Sequence, residues 1–306
     1  MHQEVISVDS YEDLLRRPAF EGSLAFHPKA PRQFGSVIAP YTFLERIPCG
    51  IESCHTPHLS GYLITTSDGL ETAIGSLCGR KYFGVSFQKE RKRVDAEVAR
   101  QKRLESIKLF LNGLPALLNS LEAFERDYRH LQEQRERLHG AVGREVYQDI
   151  RERAKRDNAI MQEYVRMSVS EAEAFFETNN RTRSDSKEWP TKAVILGTLR
   201  GLDFFKADVK ALILTTLVIP VRELSMSRLS DIESMSSRQV AALAKWIGEV
   251  PQKLIEARAV IEAGRRFFTS ENILSLVHLG ADRRCILPMV ESLRDTERRE
   301  MIRIPD

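Results

Sequence analysis

The apolar residues of this chain follow two regimes. Up to Gly84, β-branched and aromatic residues run in short stretches broken by Gly, Pro and Asp. Beyond it they recur at three- and four-residue spacing among Lys, Arg, Glu and Gln. The first regime predicts a strand over Glu4–Val8 and a small helix over Tyr11–Arg17, capped by Asp9 or Ser10 and stopped at Pro18, with irregular chain onward to residue 40. The runs flanking Asp68-Gly69 predict a β-hairpin with those two residues as its turn. In that register Ser67 pairs with Leu70, Leu63 faces Ile74, and His58 faces Gly79.

The second regime predicts long helices. Phe87, Val94, Val98, Leu104, Ile107 and Leu111 form one stripe, and Leu117, Leu121, Phe124, Tyr128, Leu131, Arg135 and Leu138 form an a/d seam with one polar member. The seam closes as an antiparallel hairpin against residues 86–112 or between two chains. Gly140 and Gly143 predict a bend before a third helix carrying Val142, Val146, Ile150, Ile160, Tyr164 and Met167. Asn179–Glu188 has no apolar residue and reads as a linker. Past it, Thr191 caps a helix with Val194, Ile195, Leu199, Leu202 and Phe205, followed by one on Val209, Leu212, Ile213 and Val218. Ser236-x-x-Gln239 reads as a capping box, Pro251 opens a helix ending near Phe268, and Ser270 caps a short one ending at Gly280. The fold expected is mainly α: a small zinc-bound β-hairpin module (1–84), a long helical hairpin or coiled coil (85–178) and a C-terminal helical bundle (179–306).

With 306 residues, 42% of them hydrophobic and 29% charged, the chain can bury a core. Ala211–Val221, the longest apolar run, is interrupted by Thr215, Thr216 and Pro220, so no membrane span is expected. The start lacks a secretory signal, and four cysteines are too few for a disulfide scaffold, which points to a reducing cytoplasm. The formal net charge of +3 is unevenly spread. The chain is acidic through residue 80 and basic from 81 to 160, densest at Lys89, Arg91, Lys92, Arg93, Arg100, Lys102 and Arg103.

Three of the four cysteines, Cys49, Cys54 and Cys78, fall close together, with His55 and His58 beside them. The expected hairpin brings His58 and Cys78 to its open end, and the turn through Gly50 holds Cys49 near Cys54. Cys49, Cys54, His58 and Cys78 then form a Cys3His set, a closed tetrahedral zinc site with a structural role. His55 is the alternative fourth ligand, and three buried reduced thiols are the alternative to metal.

The segment Cys-x4-Cys-x-Thr-Pro-His, the Asp-Gly hairpin and Ile74-Gly75-Ser76-x-Cys78-Gly79-x-x-Tyr82-Phe83-Gly84 resembles the N-terminal zinc-hairpin segment of uncharacterised bacterial and phage-encoded proteins. More generally it is similar to zinc-ribbon and treble-clef modules. The resemblance covers this segment alone. Such modules carry a further Cys or His just after the Cys-Gly, where this chain has Lys81 and Tyr82, so the resemblance makes His58 the needed substitute.

No phosphate loop, dinucleotide fingerprint, His-Glu-x-x-His or nucleophile elbow is present. His2, His27, His130, His139 and His278 are scattered singly, and Cys285, with no histidine near it in sequence, reads as a core thiol. Asp203 and Glu173 are the acids with apolar neighbours that could face inward as a catalytic pair, and the Phe175-Phe176, Phe204-Phe205 and Phe267-Phe268 pairs read as core. The function expected is that of a non-enzymatic, zinc-stabilised interaction protein, accessory or regulatory to a phage or mobile element, with a protein partner or self-association through its helices. The basic stretch 89–103 supports a nucleic-acid-binding alternative, and an enzyme with a helical active site is the second alternative.

Overall fold

A computed structural model describes residues 6–26, 32–179 and 188–302. Its chain is mainly α, with a three-stranded antiparallel sheet near the N-terminus and a two-stranded sheet further on. It divides into two compact units: residues up to Leu109 with Leu229–Lys245, and Phe110–Arg228 with the residues from Trp246 onward. Among the described residues no helix is long and apolar enough to cross a membrane.

In the first unit the sheet order is β1 (Phe34–Ile47), β2 (His58–Thr66), β3 (Glu71–Gly75). β1 was not expected, because Pro40 interrupts its β-forming run. As an edge strand it needs no ladder donor at Pro40, and Ala39, Tyr41 and Phe43 alternate inward. The expected strand over Glu4–Val8 is absent at residues 6–8, its first two residues lying outside the described ones. Helix α1 (Tyr11–Leu15) forms as expected, with a capping box in which Ser10 and Asp13 satisfy each other's backbone amides.

The hairpin forms, but its register differs by one residue from the expected one. Ser67, Asp68 and Gly69 make a three-residue loop closed by Thr66 N–H to Leu70 O at 2.9 Å, with Gly69 at φ +86°. Leu63 therefore faces Ala73, and Tyr62 faces Ile74. The reason is the two-sided core. Leu63 and Ala73 pack under α1 with Tyr41 and Phe43, whereas Tyr62, Ile64 and Ile74 pack on the other face with Phe87 and Val94. The expected pairing of Leu63 with Ile74 would have sent one of them to the wrong face.

β3 leads directly into α2 (Ser76–Lys155), an 80-residue helix shared by both units. Gly84 (φ +57°) and Gly143 (φ +75°) interrupt its regular winding. The expected bend at Gly140 and Gly143 does not separate two helices, because α2 runs on through both glycines to Lys155. At Gly79 a Cβ would lie 2.4 Å from the Phe87 ring, so this glycine lets the ring reach the core. The expected helical hairpin is not formed, because Gly113-Leu114-Pro115 continues the helix. Pro115 is exposed, so water can take the carbonyl its missing N–H leaves free. Pro251, also exposed, likewise sits inside a helix rather than opening one.

In the second unit the a/d seam is buried by the chain's own helices. Leu121, Leu131 and Leu138 are almost fully buried. Leu131 meets Gly264 of α7 (Ser237–Phe267), and Arg265 pairs with Asp127 at 3.0 Å. Asp157, at φ +54°, ends α2. The expected helices over Ile160–Met167 and from Thr191 are instead strands β4 (Ile160–Arg166) and β5 (Thr191–Thr198), paired antiparallel and separated by α3 (Val169–Thr178). The expected linker falls almost wholly outside the described residues.

After α4 (Asp203–Lys206), Ala211–Val218 is wound as a π-helix and runs into α5 (Ile219–Met226). Pro220 cannot donate to Thr216 O, which accepts the Trp246 indole N–H at 3.1 Å. Then follow α6 (Leu229–Ser234), α7 with its Ser236–Gln239 capping box, α8 (Ser270–Leu274), a 3-10 turn ending at Gly280, and α9 (Arg283–Ile302).

Candidate metal centre

Cys49 leaves the end of β1 and Cys54 closes the following turn, where Cys54 N–H donates to Ile51 O at 2.8 Å. That turn is pinned to the sheet by Gly50 N–H to Ala73 O at 2.7 Å. A Cβ at Gly50 would lie 1.9 Å from Thr72 Oγ1, so only glycine permits this approach. Cys78 comes from the first turn of α2. The three sulfur atoms lie within 4.8 Å of one another, close enough to hold a metal ion, and Cys54 and Cys78 are 3.3 Å apart.

The electrostatics are uneven. Burial pushes the Cys49 thiol up, against the backbone amides of Ile51 and Gly75, which donate to its sulfur. Cys54 is held down to about 7, chiefly by the Thr56 hydroxyl and amide. Burial, followed by its hydrogen bond with Cys54, pushes Cys78 up to about 12. Three thiolates at this spacing repel one another unless a cation sits among them. A tetrahedral site with metal–sulfur bonds of about 2.3 Å sets its sulfurs about 3.8 Å apart, which this cluster matches in scale.

His58 pairs with Ile47 rather than Gly79, because β3 ends at Gly75. Its Nε2 is 2.6 Å from the Tyr41 hydroxyl and its Nδ1 is 3.2 Å from Thr56 O, so the ring lies outside the three-sulfur group. His55 is exposed at φ +48° beside Cys54. The contributions of Tyr41 and Thr56 were not legible in the sequence, Tyr41 because β1 was not. Tyr82 shares a hydrogen bond with the hydroxyl of Ser53, next to Cys54, at 2.9 Å.

The basic stretch is partly committed to the fold. Arg91 pairs with Asp95 at 3.5 Å and lies over the Tyr62 ring. Arg93 pairs with Glu90 at 2.9 Å, and Arg100 donates to Glu233 O at the end of α6, 2.6 Å away. Lys89, Lys92 and Lys102 are exposed and Arg103 is half-buried. Glu173 and Asp203 point outward rather than into a shared site, with Asp203 paired to Lys206 at 3.2 Å. Phe204, Phe205, Phe267 and Phe268 pack edge-to-face in the core. Cys285, expected as a core thiol, is instead exposed near the start of α9, and His2 and His27 lie outside the described residues. No family model, characterised protein or solved structure matches this chain.

Proposed function

We propose that the cysteine cluster holds a structural zinc ion and that the chain is a zinc-stabilised protein-interaction protein. The observation that carries this reading is the origin of the three sulfurs. Two come from the β1–β2 connection and one from the first turn of α2, so a bound ion ties the sheet to the helix that both units share. Three thiolates suit a soft or borderline cation, and zinc brings no redox demand to a reducing compartment. The candidate fourth donors are His55, exposed beside Cys54, and His58, which would first have to give up its hydrogen bond to Tyr41 or to Thr56. An interaction role is supported by the exposed apolar side chains Leu77, Val85 and Leu109 on α2 and by the strands of the second unit.

The test is metal analysis of the purified chain beside Cys78→Ser, His58→Ala and His55→Ala. One zinc per chain, lost in Cys78→Ser and weakened in only one histidine variant, is the expected result. Stoichiometric zinc in Cys78→Ser would overturn the assignment. Nucleic-acid binding through Lys89, Lys92 and Lys102 is tested alongside, because a complex that weakens steeply with salt would replace the protein-partner reading.

A further inference from the structure

We propose that the outer edge of β5 is a self-association surface that pairs antiparallel with β5 of a second copy of this chain. β5 is hydrogen-bonded only to β4, and among the described residues no strand covers its other edge. A free two-stranded sheet is marginally stable in water, and an open edge invites another strand. Apolar residues on both strands of this sheet are bare: Ile195 of β5 is 66% exposed, and Tyr164 and Ile160 of β4 are 65% and 45% exposed. The register sets Ile195 opposite Gln162, so these three side chains share one face of the sheet.

The edge lacks the usual protections. Thr191–Thr198 has no proline, and its single charge, Lys192, is already paired with Glu171 of α3. The bulge lies at its C-terminal end, leaving Thr191–Ile195 paired one-for-one with β4. These features favour a second copy as the occupant. Two β5 strands related by a two-fold centred on Ala193, Val194 or Ile195 set Lys192 opposite Val194, Leu196 or Thr198, never opposite a like charge. β4 offers a poorer edge, with Glu163 at its centre and Arg166 near its end. The product is a four-stranded sheet in the order β4-β5-β5-β4, carrying Ile160, Tyr164 and Ile195 of both copies on a common face. With the Leu117–Leu138 seam buried by the chain's own helices, this sheet offers exposed apolar side chains beside an open edge for such a role.

This proposal takes its partner from the interaction reading but is independent of the metal. Sedimentation equilibrium of the full chain should show concentration-dependent doubling from 35.0 kDa. Ile195→Lys, at a position 66% exposed in the monomer, should weaken the dimer by at least about tenfold by putting a charge from each copy into the joined apolar face, directly opposed where the two-fold falls at residue 195. Glu163→Lys on β4 should leave it unchanged. In a Cys285→Ser background, one of Ala193→Cys, Val194→Cys or Ile195→Cys should give an oxidised dimer that the parent does not. A monomer at every attainable concentration, or a dimer indifferent to Ile195→Lys with no cross-link from the three cysteine variants, would overturn the edge pairing. Neither result would disturb zinc at Cys49, Cys54 and Cys78.

Discussion

Gly61→Ala tests the link between the sheet and the candidate metal centre. Gly61 sits in the central strand, opposite Tyr41 on β1 and Gly75 on β3. An added Cβ would lie 2.2 Å from the Ile74 carbonyl oxygen and 2.5 Å from the Tyr41 hydroxyl. The carbonyl belongs to a strand buried on both faces, so relief requires a movement of roughly an ångström or more. Such overpacking costs about 1–3 kcal/mol. Displacing the Tyr41 ring also breaks its 2.6 Å hydrogen bond to His58, for about 0.5–1.5 kcal/mol more. The reduced freedom of the unfolded chain returns about 0.4–1 kcal/mol. The expected net loss is roughly 2 kcal/mol. Trp189 and Trp246 both lie in the second unit, so tryptophan fluorescence would miss this change. Urea titration read by amide exchange in β2 and β3 is the appropriate assay, with Gly22→Ala, which meets nothing within 4 Å, as control. Protection in Gly61→Ala equal to or above that of the unaltered chain would refute the reasoning.

In the second unit, buried Asn272 accepts from Arg200 N–H at 2.9 Å and donates to Arg200 O and Phe267 O. Asn272→Leu strips partners from these backbone groups and should cost about 3 kcal/mol in a denaturation midpoint read by tryptophan fluorescence. Gly201 has φ +71°, and a Cβ there would lie 2.0 Å from Ala263 O. Gly201→Ala should therefore destabilise the same transition by at least about 1–3 kcal/mol, and an unshifted midpoint would contradict the geometry. The Glu171 carboxyl, held down to about 2 chiefly by Lys192, stabilises the folded chain above the ordinary glutamate range. That contribution fades as the pH falls toward 2, so carbon-detected NMR should place its titration well below that of exposed glutamates. Zinc, if bound as proposed, should leave on acidification as the three thiolates take up protons, which a metal-release assay across pH 7 to 4 reads directly.

Features set by a few adjacent residues were legible in the sequence, and those decided by packing were not. The caps at Ser10 and Ser236 and the gathering of Cys49, Cys54 and Cys78 rest on local chemistry. The hairpin register does not, because Asp-Gly serves a two-residue turn and a three-residue loop equally well. Only the opposed demands of Leu63 and Ile74 on the two faces of the sheet decide between them. The placement of His58 depended on that register. Ile160, Tyr164 and Met167 fit helical spacing as well as a strand, and the left-handed turn at Asp157 that ends α2 has no strong sequence signature. Pro115 and Pro251 looked like boundaries, yet both face solvent, where a helix tolerates them. The seam from Leu117 to Leu138 was evident, but its partner, α7, lies far along the chain.

The loop Ser67-Asp68-Gly69 acts as a phase setting for everything downstream. α2 starts immediately after β3, so removing one loop residue would shift β3 against β2, invert its pleat and turn the start of the helix by about 100° per residue of slip. Cys78 would swing away from Cys49 and Cys54. Three exposed residues outside the cysteine cluster thus determine whether the thiols meet. Insertions or deletions there should be selected against as strongly as loss of a cysteine, even though the loop itself carries no ligand.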